Sequence, residues 1–274
     1  MIKLLIFSVF FLSSSFCDEH GVRFINDVAN DDVMDIEFIT DFSEGGFNYS
    51  SNFSGRISTK YQGKDDNHKF IQTWSNIVST YKRNDDVKIN HSAQKLNGTR
   101  FILIADSTGE FTRDGLDDNA REMEEENRSF MFFSGQGNML YPFGSDSLFK
   151  IGDTWVTHKK EHLDEFPGFE EAVGDVEDET IYTFDKIKTK KGKKIAYISA
   201  KGKIFLNMTS VTWDESWEMD VVGVLKSKIQ YDLTNKKVIK CRMRGSIKGN
   251  GRDLIDDASI SFNQNIDMIC KTKY

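Results

Sequence analysis

The sequence predicts an all-β, mainly antiparallel protein: a sandwich or half-open barrel with one short helix near mid-chain. Three observations predict it. Apolar residues recur at every second position along most of the chain, turn-forming clusters separate those runs at short intervals, and a single segment carries a helical apolar spacing. Alternation that leaves one face wet is the mark of an antiparallel sheet packed on one side.

Taken in order, the chain opens with Lys3 and the apolar run LLIFSVFFL (4–12), followed by small residues at Ser15 and Cys17. The run is too short to span a bilayer and has the layout of a secretory signal. Residues 1–17 are therefore expected to be a signal peptide and 18–274 a β-rich extracytoplasmic region. Lipidation of Cys17 is the weaker reading, because Ser14 and Phe16 stand where such a site usually has a Leu-like and a small residue.

MDIEFITDF puts Met34, Ile36, Phe38 and Phe42 on one face and Asp35, Glu37 and Asp41 on the other. VKINHSA alternates similarly, while FILIAD, apolar throughout, reads as a central strand. LDDNAREMEEENRSFMFF (116–133) is the expected helix: Asp117 or Asp118 can cap it, acids fill its early turns, and Met123, Phe130 and Phe133 can face inward. Two halves would meet near 134–148, where QGNMLYPFGSDS follows. VVGVLKSKIQY then sets Val221, Leu225, Ile229 and Tyr231 against Lys226, Lys228 and Gln230. Turn signals lie at EGG (44–46), QGKDDN (62–67), RNDD (83–86), LNGT (96–99), STGE (107–110), KKGKK (190–194), LTNKK (233–237) and GNG (249–251).

The formal charge of −7 argues against nucleic acid, which demands a basic face. No apolar run beyond the signal reaches the length of a transmembrane helix. Removing the signal leaves Cys241 and Cys270, an even pair in an oxidising compartment and hence a disulfide candidate. Both fall on the buried phase of their strands, with Ile239, Met243 and Ile247 on one and Ile260, Phe262, Ile266 and Met268 on the other. A hairpin turning at GNG would leave the two cysteines about two residues out of opposition on each strand, which a bulge can absorb.

VTHKKEHLDEF contains H-x-x-E-H at His158, Glu161 and His162, the ligands and general base of a zinc hydrolase if helical. As a helix the segment has only Leu163 and Phe166 to bury, and Pro167-Gly168 ends it; as a strand running on from Trp155 its polar side chains are simply solvated. The strand reading is preferred. G-x-S-x-G, G-x-G-x-x-G and P-loop patterns do not occur. Acid pairs such as Asp214/Glu215 and Glu170/Glu171 fit acidic turns better than acid–base chemistry. Asp106, Glu110, Asp114, Asp117 and Asp118 form an acidic loop without the EF-hand register, better read as two turns leading into a helix than as a calcium site. Lysines 186, 188, 190, 191, 193, 194, 201 and 203 crowd one hairpin, where they protect an edge or meet anionic lipid or polysaccharide. Sequons occur at Asn48, Asn52, Asn90, Asn97, Asn127 and Asn207. Trp213 and Trp217 share a phase and fill the core or line a ligand cavity.

From KIGDTW onward the chain carries a resemblance to known proteins. Ile151 to Trp155, the strand from Thr180 to Ile187, the strand from Gly192 to Ile198 and the run from Gly223 to Val238 resemble, in order, a group of exported bacterial β-rich proteins, often lipoproteins, of uncharacterised function. ILIADSTGEFTRDG (102–115) is similar to the same group upstream. The resemblance implies compartment and fold, not a mechanism.

The function expected is non-catalytic binding outside the cytoplasm, with no cofactor, of a lipid-like or other hydrophobic ligand in the cell envelope. The alternative is a surface module that binds protein or glycan without a ligand cavity. A zinc-dependent hydrolase using His158, Glu161 and His162 ranks third.

Overall fold

A computed structural model describes residues 22–24, 32–44, 47–64, 68–83, 86–105, 111–116, 147–162, 172–211 and 216–273. In chain order the strands are β1 (Val22–Arg23), β2 (Asp32–Glu44), β3 (Phe47–Lys64), β4 (His68–Arg83), β5 (Asp86–Ile89), β6 (Arg100–Ala105), β7 (Phe111–Leu116), β8 (Leu148–Phe149), β9 (Thr154–His162), β10 (Ala172–Lys190), β11 (Lys193–Val211), β12 (Ser216–Asp232), β13 (Lys237–Asp253) and β14 (Ser259–Lys273). One helical turn, α1 (His91–Gln94), lies between β5 and β6.

All but β1 and β8 belong to one 12-stranded sheet in the order β7-β6-β4-β3-β2-β14-β13-β12-β11-β10-β9, with β5 also paired to β4. Each described pairing is antiparallel. Among the described strands the path has two ends, as an open sheet or half-open barrel requires. The N-terminal and C-terminal runs meet at β2 and β14, which places strands from both sides of residues 134–148 in one sheet.

The alternation read from the sequence becomes a two-faced sheet. One cross-strand row of the inner phase runs Tyr182, Ala200, Ser227, Met243, Met268, Phe38, Phe53 and Ser79 over eight strands. All eight are buried. The inner phase joins one hydrophobic cluster from Val22 to Cys270, and β-branched and aromatic side chains fill it because they fit a pleated, half-buried surface.

β1 and β8 form a separate two-stranded ribbon, antiparallel, that lies on this inner face. Phe24 just after β1 meets Phe149, Trp155, Phe184 and Tyr231 with ring centroids 5.1–6.1 Å apart. Trp155 in turn stacks on Tyr182 at 5.1 Å and 9°. The G-D-T-W segment explains the docking. Asp153 caps its own turn by accepting from Lys150 N at 2.7 Å. Gly152, at φ +97°, donates to Phe184 O at 2.8 Å, and Phe184 N donates to Asp153 O at 3.0 Å. The turn is thereby stapled to β10, and Trp155 follows it into the core.

Several local expectations are corrected. FILIAD is not central: β6 is second from one edge, and Ile102 is exposed. VKINHSA does not run on as a strand. β5 stops at Ile89, and Asn90 Oδ1 accepts from Ala93 N at 3.1 Å, starting α1 as an N-cap. GNG is not a turn: β13 continues through it to Asp253, and the chain reverses at 254–258, where Asp253 Oδ1 accepts from Ile255 N at 2.7 Å. On β13 the buried residue is Val238 rather than Ile239, because a register shift opposite Gln230/Tyr231 leaves Ile239 unpaired. The helix expected over 116–133 lies outside the described residues apart from Leu116, which ends β7. The signal segment 1–17 and most of the acidic loop around Asp106 also lie outside them.

Candidate functional site

The inner face of the sheet is the candidate binding surface, and its polar atoms are what set it apart from an ordinary core. Gln72 on β4 and Gln264 on β14 are fully buried. Gln72 Oε1 accepts from Trp74 Nε1 at 3.1 Å, and Gln264 Nε2 donates to Thr40 Oγ1 at 2.8 Å. Thr40 Oγ1 passes the hydrogen bond on to Asn265 O at 3.1 Å. Among the described residues the other ends of both amides, Gln72 Nε2 and Gln264 Oε1, have no hydrogen-bond partner, and neither does Trp155 Nε1. An unmet buried polar group costs about 1–3 kcal/mol. A mainly apolar face, dotted with buried Ser and Thr, thus offers one amide donor, one amide acceptor and an indole N–H.

The geometry around Gln72 is set by a bulge. Where β3 contributes Gly55, β4 contributes both Asn76 and Ile77, with Asn76 at φ +53°. The backbone groups this frees are met by the connection after α1. Asn97 Oδ1 accepts from Ile77 N at 2.8 Å, and Asn97 Nδ2 donates to Ile77 O at 3.3 Å. Thr99 O accepts from Trp74 N at 3.0 Å, and Gly98 N donates to Trp74 O at 2.8 Å. The bulge turns Ile77 inward over Gly55, where a Cβ would come within 2.5 Å of Ile77 Cδ1.

The cysteine pair is opposed in register, Cys241 to Cys270, with no slip. The two residues of offset expected from a GNG turn vanish because the true turn lies further along the chain. Both are free thiols in the structure, so no bond joins them there. Burial pushes the Cys241 thiol up to about 12 and raises Cys270 well above the usual thiol range.

Trp217 is half-buried and packs against the core cluster near the start of β12; Trp213 lies outside the described residues. The H-x-x-E-H segment is strand β9, not helix. On a strand, the odd spacing between 158 and 161 separates them to opposite phases. His158 is exposed opposite Glu179, while Glu161 is registered with Val176. His162 Nδ1 lies 2.7 Å from Asp175 Oδ1, and Lys160 pairs with the same carboxylate at 2.5 Å. Among the described residues no cluster of three or more His, Cys, Asp or Glu has metal-holding geometry.

The outer face carries a groove of about 350 Å³ over β2, β3 and β14, lined by Asp35, Glu37, Arg56, Asn76 and Lys271 among others. Within it Asp35 is bound to Arg56 at 2.9 Å and to the neighbouring Lys273 at 2.8 Å. Sequence reasoning missed the two glutamines. Their signal was a polar residue on a buried phase, Gln264 between Phe262 and Ile266, and it is visible only once the phase of that strand is fixed.

No protein-family model and no curated protein matches the chain. Among solved structures it is similar to the loop L8 deletion mutant of OmpT, an outer membrane protein of Vibrio cholerae, at 8% identity over 90% of this chain and 100% of that one, with a TM-score of 0.20. OmpT folded in vitro, in its trimer form, aligns at 9% identity over 89% and 99%, TM-score 0.22. A DUF1329 family protein from Desulfovibrio piger aligns at 9% identity over 88% and 85%, TM-score 0.16. None of these likenesses assigns a function.

Proposed function

We propose that this chain is a non-catalytic binding protein of the cell envelope that holds a lipid-like or other hydrophobic ligand with a hydrogen-bonding head against the inner face of its sheet. The observation that carries the reading is the pair of half-satisfied, fully buried glutamines, Gln72 and Gln264. The two amides lie far apart on the sheet, Gln264 in one row with Phe42, Tyr49 and Arg83 and Gln72 in the row of Thr59, so each would anchor a separate polar group at its own end of the inner face. Sites of this kind are mostly apolar, with a few placed polar groups that fix orientation.

The extracytoplasmic address rests on the signal-like segment 4–12. Among the described residues no helix is long and apolar enough to cross a membrane, which leaves strands unaddressed. In an oxidising compartment we infer that Cys241 and Cys270, directly opposed on neighbouring strands, close as a disulfide.

Native mass spectrometry of protein gently extracted from its source tests the ligand. The expected result is a co-purifying adduct in the wild type that is absent from a Gln72→Leu, Gln264→Leu double variant. A ligand-free wild type, together with a double variant that is more stable, would mean that the two amides are simply unmet and would overturn the reading.

A further inference from the structure

We propose that the outer face over β10–β13 docks on an anionic phospholipid bilayer. The surface is separate from the inner face, and the inference stands whether or not a ligand occupies that face. The outer face carries an arrangement that a solvated sheet avoids. Lys201 on β11 is directly opposite Lys226 on β12, which is directly opposite Arg244 on β13. Lys228 is likewise opposite Arg242. Like charges opposed across paired strands are destabilising.

Internal acids do not relieve the repulsion. Asp267 is shared by Arg242, at 2.6 and 2.9 Å, and by Arg244, at 2.9 Å, so one carboxylate serves two guanidinium groups. No ion pair joins Lys201, Lys203, Lys226, Lys228 or Lys248 to a described residue. Glu179 stands opposite Lys203 in register without forming one. In a chain of net charge −7 these cations concentrate on β11–β13 of this face, bordered on β10 by Glu177 and Glu179 of the same outer phase. A concentration of unpaired cations calls for an anionic partner.

The apolar residues narrow the partner. Ile181, Phe205, Val222 and Val224 lie on the same outer face and are 43–47% exposed. Phe205 is opposite Val222, Val224 is opposite Lys203, and Ile181 is opposite Lys201, so apolar and cationic side chains interleave. A soluble polyanion would use the charges and leave the phenyl and branched side chains in water. A bilayer surface uses both: the ammonium groups reach the phosphates while the lysine stems, Phe205 and the valines enter the interfacial layer. At about 4.8 Å between strands and 3.3 Å per residue, four strands by four rows give a footprint roughly 15 by 20 Å.

Cosedimentation of the full chain with two sets of vesicles tests the proposal, one of phosphatidylcholine and one of equimolar phosphatidylcholine and phosphatidylglycerol. The expected result is binding to the anionic set only, weakened by added salt. Each lysine near an anionic surface is worth about fivefold, so Lys201→Gln, Lys203→Gln and Lys226→Gln together should weaken binding roughly 100-fold. The same triple variant should be at least as resistant to urea as the wild type, since it removes opposed charges. A Phe205→Ser, Val222→Ser variant should lose the part of binding that survives high salt. Equal binding to neutral and anionic vesicles, unchanged binding by the triple variant, or retention on heparin with no vesicle binding would each overturn it.

Discussion

Asn97 shows how much one side chain carries. Its amide satisfies both backbone groups of Ile77 and also donates to Gln94 O at 3.0 Å, so the bulge in β4 and the connection after α1 depend on it. Asn97→Ala leaves two of the bulge's backbone groups without their partner, and its expected cost is about 1–3 kcal/mol in urea denaturation. Asn97 is also within a sequon, but its Nδ2 is the atom that a glycan would occupy and here it is a donor. Gly249 is a second pivot. It is paired with Phe262, whose ring sits where a Cβ would be, 2.1 Å from the nearest ring carbon. Gly249→Ala must push that ring out of the core, at an expected cost of about 1–3 kcal/mol measured the same way. Neither role is legible in sequence. LNGT reads as a turn and GNG reads as a turn, and only the pairing partners reveal a bulge cap and a ring seat.

At the scale of elements, the β13–β14 hairpin combines the cysteine pair and the Arg242–Asp267–Arg244 cluster. Asp267 is held below the usual carboxylate range chiefly by its hydrogen bonds from Arg242, which outweigh the opposing effect of burial, with Arg244 adding a lesser pull. Its folded pKa is thus lower than its unfolded one. The stabilisation is present above the unfolded carboxylate pKa and is lost as pH falls through the folded value. Asp267→Asn should therefore flatten the acid limb of the denaturation midpoint against pH, leaving less difference between neutral and acidic solution than in the wild type. For the cysteines, closing the loop from 241 to 270 is worth about 3.5 kcal/mol in the chain-entropy account. The midpoint in urea should fall on reduction, and the reduced, folded protein should resist alkylation because burial keeps both thiols protonated. A midpoint indifferent to reductant would remove the disulfide from the account. The Asp32–Lys237 ion pair links β2 to the start of β13; desolvation raises the Asp32 carboxyl despite its cationic partner, so this pair favours folding less as pH rises through that group.

At the scale of the whole molecule, the 12-stranded sheet has β2 and β14 at its centre, far apart in sequence and adjacent in space. Unfolding followed by far-ultraviolet circular dichroism and by tryptophan fluorescence should give one coincident transition, because Trp74 and Trp155 stand on opposite sides of that seam and share one core cluster. Two separated transitions would mean that the halves fold independently. The open path also explains the two kinds of surface: an inner face that collects apolar side chains and two buried amides, and an outer face on which charge is free to segregate.

What the sequence determined by itself was the class and the phase. Period two is a local property of the pleated backbone, so Met34, Phe38, Leu225, Cys241 and Cys270 could be assigned to the buried face without knowing their neighbours. The same periodicity made β9 a strand and separated the elements of its H-x-x-E-H motif. Only the tertiary structure decided which strands are neighbours, where β13 turns, and which polar residues end up unmet. Those are properties of register between segments distant in the chain, and alternation is indifferent to register beyond odd and even. Gln264 beside Thr40, Lys201 against Lys226 and Arg244, and Cys241 opposite Cys270 exist as pairs only when that register is set.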